Sequence, residues 1–350
     1  MDDGPLRLPI DAERSARPNH PRRVGTHLSS ADREGFRRPL AICSIPLLFA
    51  PRETLPAMVT VRAPATSANL GSGFDVFGAA LSRPADVVTV EKAAETTIEV
   101  TGVGAQYIPE DPEKNTVGAV VEALDAPARI HIDKGVRPAS GLGSSAASAA
   151  GAAVALNRLY DRGRSREELV PIAAEGEAVV SGVAHADNVA PSILGGFTVT
   201  TADGTRSVDA AIPLVVCLPD VAVSTRDARR VVPESASMEE LVETVGNAAT
   251  LAIGMCRSDP DLVGLGMSDP VVTPERARLI TGYDEVRGRA FDAGATGVTV
   301  SGAGPAVIAA CRERDRRDVA AGMLDAFAGA GIEARAYQTR IGRGATFLAD

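Results

Sequence analysis

Lysine is nearly missing from this chain of 350 residues: Lys92, Lys114 and Lys134 stand against 33 arginines, the rest of the 36 basic side chains. No lysine precedes a serine or threonine in a glycine-rich loop, so a Walker-type nucleotide site is excluded. Cysteine is scarce too. Cys43, Cys217, Cys256 and Cys311 have no metal-ligand spacing, which makes reduced thiols in a cytoplasmic protein the expectation. No apolar run is long enough to cross a membrane; Ile42–Ala50 is short and interrupted by Pro46. Excess positive charge is also lacking. A net charge of −9 argues against a nucleic-acid or anionic-membrane partner.

What is present reads as a large globular protein, 45% hydrophobic and 23% charged. Residues 1–57 stand apart. They hold nine arginines against seven acids, a net of +2, which leaves −11 for residues 58–350. Proline breaks this segment throughout, with no sustained helix or strand period. It lacks the cleavage site of a signal peptide. The expectation is a disordered leader, or upstream sequence translated ahead of a true start at Met58, with a regulatory or targeting tail as the alternative.

The chain is organised around Pro138-Ala139-Ser140-Gly141-Leu142-Gly143-Ser144-Ser145-Ala146-Ala147-Ser148. Gly141 and Gly143 permit positive φ and close backbone approach. Ser144 and Ser145 stand where an alanine-rich helix begins, and the unpaired N–H groups of a first turn receive anions. The stretch reads as a phosphate cradle, with a serine-capped helix as the plainer alternative. Gly141 to Ala146 also fits the dinucleotide pattern G-x-G-x-x-A. That match is set aside because Gly135–Ser140 separates it from the preceding apolar run, and no acidic residue ends a second strand some twenty residues on.

Around the loop, alternation predicts strands at 59–63, 86–92, 96–101, 128–133, 195–201, 214–218 and 332–338. Helical spacing predicts helices from Asn115 to about Leu124, from Ser144 to Tyr160, over 166–180, 238–257, 283–293 and 315–328. Strands, helices and hairpins alternate with few long parallel crossovers, which gives an α+β fold in two closely packed halves, 58–213 and 214–350. Asn69 and Asp75, six apart across Gly71 and Gly73, read as a bent loop aiming polar side chains into a cavity, or as an ordinary turn. Glu177 lies among Ala173, Ala174, Ala178 and Val179, where a carboxylate needs a positive partner; a solvated surface acid is the alternative.

The loop resembles the signature of the GHMP small-molecule kinases, with the proline one residue closer than in their pattern. The string from Pro64 to Asp75 resembles their first motif, in the form used by members that phosphorylate homoserine. Gly297–Ala310 resembles their third motif, a glycine hairpin packing beside the phosphate loop. The resemblance runs from Met58 nearly to the end. It implies a two-domain fold, with an N-terminal half like ribosomal protein S5 domain 2 and a ferredoxin-like C-terminal half.

The resemblance further implies transfer of the ATP γ-phosphoryl group to the hydroxyl of L-homoserine. Residues 138–148 would bind ATP, with Asn115 a further candidate near the base or else only a helix cap. Ser145 and Glu177 would hold Mg²⁺ and, with Asn69, form the catalytic set. Asn69, Asp75, His185, Thr225, Arg229 and Arg276 would bind the amino acid, Asp75 suiting the ammonium and the arginines the carboxylate. A buried, hydrogen-bonded imidazole remains the alternative for His185, and a solvated guanidinium for Arg229. Thr225 stands where mevalonate kinase-like members carry an aspartate thought to act as base, so catalysis without a dedicated base is expected. A homodimer is the expected assembly. The competing readings are another GHMP kinase, of shikimate or mevalonate type, or a non-catalytic metabolite-binding relative.

Overall fold

Two sheets carry the molecule. The computed structural model describes residues 56–181 and 186–349, so His185 and nearly all of the leader lie outside the described residues. The first half runs β1 (Met58–Ala68), β2 (Phe77–Lys92), β3 (Thr97–Gly102), α1 (Thr116–Leu124), β4 (Ala128–Lys134), α2 (Ser144–Leu159), α3 (Arg166–Ser181), α4 (Ala186–Leu194), β5 (Phe197–Thr201) and β6 (Gly204–Val208). The second runs β7 (Pro213–Pro219), α5 (Thr225–Arg230), α6 (Met238–Arg257), α7 (Pro260–Gly266), α8 (Thr273–Ala277), α9 (Tyr283–Asp292), β8 (Ala295–Val300), β9 (Val307–Cys311), α10 (Arg316–Gly329), β10 (Ala334–Arg340) and β11 (Thr346–Phe347).

The first sheet has seven strands in the order β11-β1-β2-β4-β3, with the β5–β6 hairpin attached to β2. Only the β3–β4 pair within it is parallel. Strands β1 and β2 run longer than their alternation suggests. β1 continues through Pro64 to Ala68 because the register shifts between Pro64 and Thr66, so the missing proline N–H interrupts no regular ladder. The β2 extension, Phe77 to Leu81, is a continuous apolar run buried between the two halves.

Helix α2 is buried along most of its length, from Ala146 to Leu156, and its alanines are what allow that. A Cβ added at Gly151 would come within 2.7 Å of Val88 and 3.2 Å of Ala63. The helix therefore lies hard against β1 and β2, with α1, α3 and α4 packed on its other sides. A helix apolar all round is a helix covered all round.

The second sheet is antiparallel in the order β10-β7-β9-β8. With α5–α9 between β7 and β8, and α10 between β9 and β10, this is the ferredoxin-like β-α-β-β-α-β arrangement. Both its faces are covered. Leu214, Val216, Leu218, Ile308 and Ala310 point into a core shared with the first half. Val215, Cys217, Val307, Ala309 and Cys311 point the other way, onto α9 and α10. That is why Leu214–Leu218 reads as an unbroken apolar run. The described residues form one compact unit, and among them no helix is long and apolar enough to cross a membrane.

Candidate active site

The glycine loop connects β4 to α2 and is held by two backbone hydrogen bonds and one from a side-chain hydroxyl. Gly143, at φ 62°, caps α2, and Gly141 has φ 78°. A Cβ on Gly141 would lie 2.4 Å from the carbonyl of Ser301, and one on Gly143 2.1 Å from the hydroxyl of Thr66. Only glycine fits at either place. Thr66 N–H donates to Leu142 O at 3.0 Å, Ala306 N–H to Ser140 O at 3.2 Å, and Ser301 Oγ to Gly141 O at 2.8 Å. The hairpin between β8 and β9 thus packs beside the loop, as its motif suggests. The first intrahelical bond of the turn is Ala147 N–H to Gly143 O, 2.9 Å. The N–H groups of Ser144, Ser145 and Ala146 precede it and lie at the positive end of the helix dipole.

Beneath the loop lies a network that sequence reasoning did not find. Lys134, at the end of β4, is buried and ion-paired with buried Asp86. Its ammonium also donates to Ser144 O at 2.7 Å and Ser148 Oγ at 2.8 Å. Asp86 accepts from Ser148 Oγ at 2.9 Å and from the N–H groups of Gly135 and Val136 at 3.1 and 3.0 Å. Burial pushes the Lys134 ammonium below its usual pKa, against the opposing pull of Asp86. The one available signal is register: Val87 pairs with Asp133, so the next step sets Asp86 opposite Lys134. Without the register, a lysine just outside the glycine loop looks irrelevant.

A cleft of about 510 Å³ opens above this floor. Ser145 and Glu177 face each other in it, Ser145 Oγ donating to Glu177 Oε2 at 2.9 Å. Glu177 is buried. Desolvation lifts its carboxyl to about 7; the Ser145 hydrogen bond opposes the shift, and the nearby charge of Asp187 adds to it. Two hard oxygen donors beside a helix N-terminus suit Mg²⁺, which commonly takes one or two protein carboxylates and completes its shell with phosphate and water. Among the described residues no cluster of three or more His, Cys, Asp or Glu offers an all-protein cage.

The same cleft gathers Asn69, Asp75, Thr225, Arg229 and Arg276. Asn69 and Asp75 both adopt left-handed backbone, φ 71° and 56°, and Asn69 Oδ1 accepts from Asp75 N–H at 3.0 Å. Asn69 Nδ2 and Arg276 Nη1 converge on one acceptor, Gly302 O, at 3.1 and 2.7 Å. Arg276 is buried, and desolvation lowers its pKa from the usual arginine value. Arg229 Nη1 donates to Asp75 Oδ2 at 2.6 Å. Both guanidiniums sit near the Phe74 ring, 5.3 Å for Arg229 and 5.0 Å for Arg276. Phe74 escapes a search for polar groups, yet it fixes the spacing of the two cations.

Most of the expected site residues therefore converge: Pro138–Gly141, Gly143–Ser145, Ser148 and Asn115 line the cleft with the residues above. Leu142, Ala146 and Ala147 turn their side chains into the cores instead. Asn115 both caps α1, accepting from Val117 N–H at 3.0 Å, and donates to Pro109 O at 2.6 Å. Asp187 and Asn188, in the first turn of α4, join the site unforeseen; Asn188 Oδ1 accepts from Thr66 Oγ1 at 2.9 Å. Asp227 is absent from the lining. It is bound to Ser224 Oγ at 2.6 Å and to Arg230 Nη1 at 3.2 Å on the exposed side of α5.

Residues 114–196 match the GHMP kinases N terminal domain and residues 248–329 the GHMP kinases C terminal domain. The chain is 90% identical to a homoserine kinase of Halorubrum lacusprofundi over 291 residues, 83% of this chain and 99% of that one. It is 49% identical to a homoserine kinase of Methanocella arvoryzae, over 83% of this chain and 97% of that one. Among solved structures, a homoserine kinase from Cytophaga hutchinsonii superposes with a TM-score of 0.77 at 34% identity, covering 85% of this chain and 99% of that one. A mevalonate kinase from L. major, at 15% identity and TM-score 0.62 over 81% and 95% of the two chains, shares the fold.

Proposed function

The chain belongs to the homoserine kinases of the GHMP kinase family, and on that premise we propose how its cleft moves the γ-phosphoryl group of ATP onto the hydroxyl of L-homoserine, in the route to threonine. The observation that carries the reading is the meeting, in one cleft, of the Ser145–Glu177 pair at the start of α2 with the Asp75, Arg229 and Arg276 group across from it. One side suits a polyphosphate and its metal; the other suits a zwitterion.

The phosphates of ATP lie on the N–H groups of Ser144, Ser145 and Ala146. Lys134 acts as a positioning residue: through Ser144 O it holds the turn that presents those groups. Ser145 and Glu177 would hold Mg²⁺, which would supply neutralisation of charge on the phosphates. Glu177 must be ionised for this, and the metal's charge favours the carboxylate that burial disfavours. Arg229 and Arg276 take the substrate carboxylate and Asp75 the ammonium; Asn69 and Asn188 orient the hydroxyl.

In the transfer, a bond forms between the hydroxyl oxygen and the γ-phosphorus while the bond to the β,γ-bridging oxygen breaks. Thr225 is too weak an acid to serve as base at neutral pH. A loose transition state needs little nucleophile activation, so the hydroxyl proton passes to a phosphoryl oxygen or to solvent. The domains meeting at the cleft are 58–213 and 214–350, and the reaction belongs to the cytoplasm, in keeping with the free thiols Cys217, Cys256 and Cys311.

The test is ATP consumption by the purified full chain across homoserine, shikimate, mevalonate and galactose. Homoserine is expected to turn over fastest. Faster turnover of any of the other three would overturn the assignment.

A further inference from the structure

A second cavity, of about 630 Å³, opens in the C-terminal half between the end of α7, helix α8, the start of α9 and β8. It shares no lining residue with the catalytic cleft. Met267, Ile280, Val298 and Phe291 give it an apolar part. Most of its charged groups are already committed. Asp269 accepts from Thr273 N–H at 2.7 Å, Thr273 Oγ1 at 2.9 Å and Val271 N–H at 3.0 Å. Arg278 is paired with Glu275, and Glu285 with Arg289 at 3.9 Å. Three groups are left over. Tyr283 is only 5% exposed, and among the described residues its hydroxyl makes no hydrogen bond, yet the oxygen is not sealed in the protein; it opens into the cavity. Burial pushes the pKa of that hydroxyl up to about 12, so at neutral pH it is an uncharged donor. Arg287 lies over the Phe291 ring at 5.0 Å and, like Asp284, forms no ion pair among the described residues. The ten-residue helix α9 starts at the cavity after Gly282 with no side-chain cap, so its first-turn N–H groups are donors too.

We propose that this cavity is a second binding site, for a free α-amino acid with an apolar side chain, its carboxylate on Arg287, Tyr283 Oη and the start of α9 and its ammonium on Asp284. The uncommitted groups select that class. One cation and one anion remain, beside a neutral donor and apolar side chains, and a zwitterion with an apolar tail uses all of them. A phosphate or dicarboxylate would face Asp269, Asp284 and Glu285; a simple amine would face Arg278 and Arg287. The site is also joined to the catalytic cleft, a link that rests on the kinase reading above. Helix α8 contributes to both: Thr273, Pro274 and Ala277 line this cavity, while Arg276 lines the cleft and donates to Gly302 O at 2.7 Å. Ile280, on the cavity side, lies 3.2 Å from where a Cβ on Gly304 would be, and Gly304 lines the cleft in the hairpin beside the glycine loop. A ligand that fixes α8 and Ile280 therefore acts on the placement of Arg276, and through it on homoserine.

The experiment is calorimetric titration of the full chain, with saturating homoserine present, by L-leucine, L-isoleucine and L-methionine. At least one should bind with a Kd of roughly 0.1–1 mM, the range open to a ligand of about nine non-hydrogen atoms. Isovalerate and isopentylamine, which lack one charge each, should bind at least about tenfold more weakly, as should the amino acid to Arg287→Ala, Asp284→Asn and Tyr283→Phe. Those three variants should keep the wild-type kcat without added ligand, and Tyr283→Phe removes only a hydroxyl, so lost binding there is not lost folding. In the wild type the ligand should shift the KM for homoserine and leave the KM for ATP unchanged; in Arg287→Ala the shift should vanish. The binding arm needs no turnover, so it fails or succeeds apart from the kinase reading. No binding up to about 10 mM, tenfold beyond the expected range, overturns the proposal. Binding that homoserine displaces without limit belongs to the catalytic cleft and overturns it, since coupling between separate sites saturates. Full affinity in Arg287→Ala or Asp284→Asn overturns it equally, and a filled site with an unmoved homoserine KM overturns the link through α8.

Discussion

Arg229 and Asp75, 154 positions apart, are hydrogen-bonded to each other at 2.6 Å across the mouth of the cleft. Read separately, one suits the carboxylate of an amino acid and the other its ammonium. Paired, each holds the other in place, and in the proposed binding mode the zwitterion inserts between them. Arg229→Leu should raise the KM for homoserine about 10- to 100-fold, the equivalent of a charged hydrogen bond of about 1.5–3 kcal/mol. The KM for ATP should change little. Equal effects on both constants would remove Arg229 from the substrate side.

Glu177 ties activity to a stability cost. Its carboxyl titrates at about 7 in the folded chain, against a reference of 4.5. Between those values the folded state keeps a proton that the unfolded state has lost. In metal-free protein, stability therefore falls as pH rises from about 4.5 to about 7, by up to about 3 kcal/mol, and the cost is complete above that. Glu177→Gln should lose phosphoryl transfer by orders of magnitude. In chelator it should also unfold at higher urea than wild type near pH 8, with the advantage fading toward pH 5. Identical urea midpoints at both pH values would mean that the carboxylate is not desolvated.

The Lys134–Asp86 pair should behave as a buried ion pair. Lys134→Met leaves Asp86 charged and uncompensated, at a cost of about 3–5 kcal/mol. Adding Asp86→Asn removes that charge and keeps an acceptor for Gly135 and Val136 N–H, so stability should recover. Turnover should not recover with it, because the ammonium that donates to Ser144 O at 2.7 Å is gone and only the longer Ser148 Oγ contact, 3.4 Å, remains from a side chain. A double variant with wild-type kcat would reduce Lys134 to a structural group.

Asp227 is the nearest acid to Thr225 in sequence, and its carboxylate is committed to Ser224 and Arg230 and is not among the groups that line the cleft. Asp227→Asn should leave kcat within about tenfold of wild type, below the 10²–10⁴-fold typical of a lost general base. A thousandfold fall with unchanged homoserine binding would identify Asp227 as the base.

Much of this site was legible from local chemistry. The glycines at 141 and 143 announce a loop that only glycine can make, and the serines after them announce a helix start. The run Leu214–Leu218 is apolar on every residue, which a strand covered on both faces requires. Boundaries were less legible. Pro64 suggests the end of a strand, and only the register shift against β2 allows β1 to continue past it. Helix α4, with Pro191 inside it, gives no clear periodic signal.

By itself, then, the sequence determined the glycine loop, the helix start after it and the α+β alternation, because each depends on backbone conformation or on residues near in the chain. The tertiary structure decided which distant groups meet. Asp86 faces Lys134 through strand register, Arg229 faces Asp75 because the second half closes over the first, and Phe74 meets two arginines for the same reason. Such pairings carry no local pattern. Their partners are chosen by how buried surfaces fit, and that is settled only when the two sheets pack.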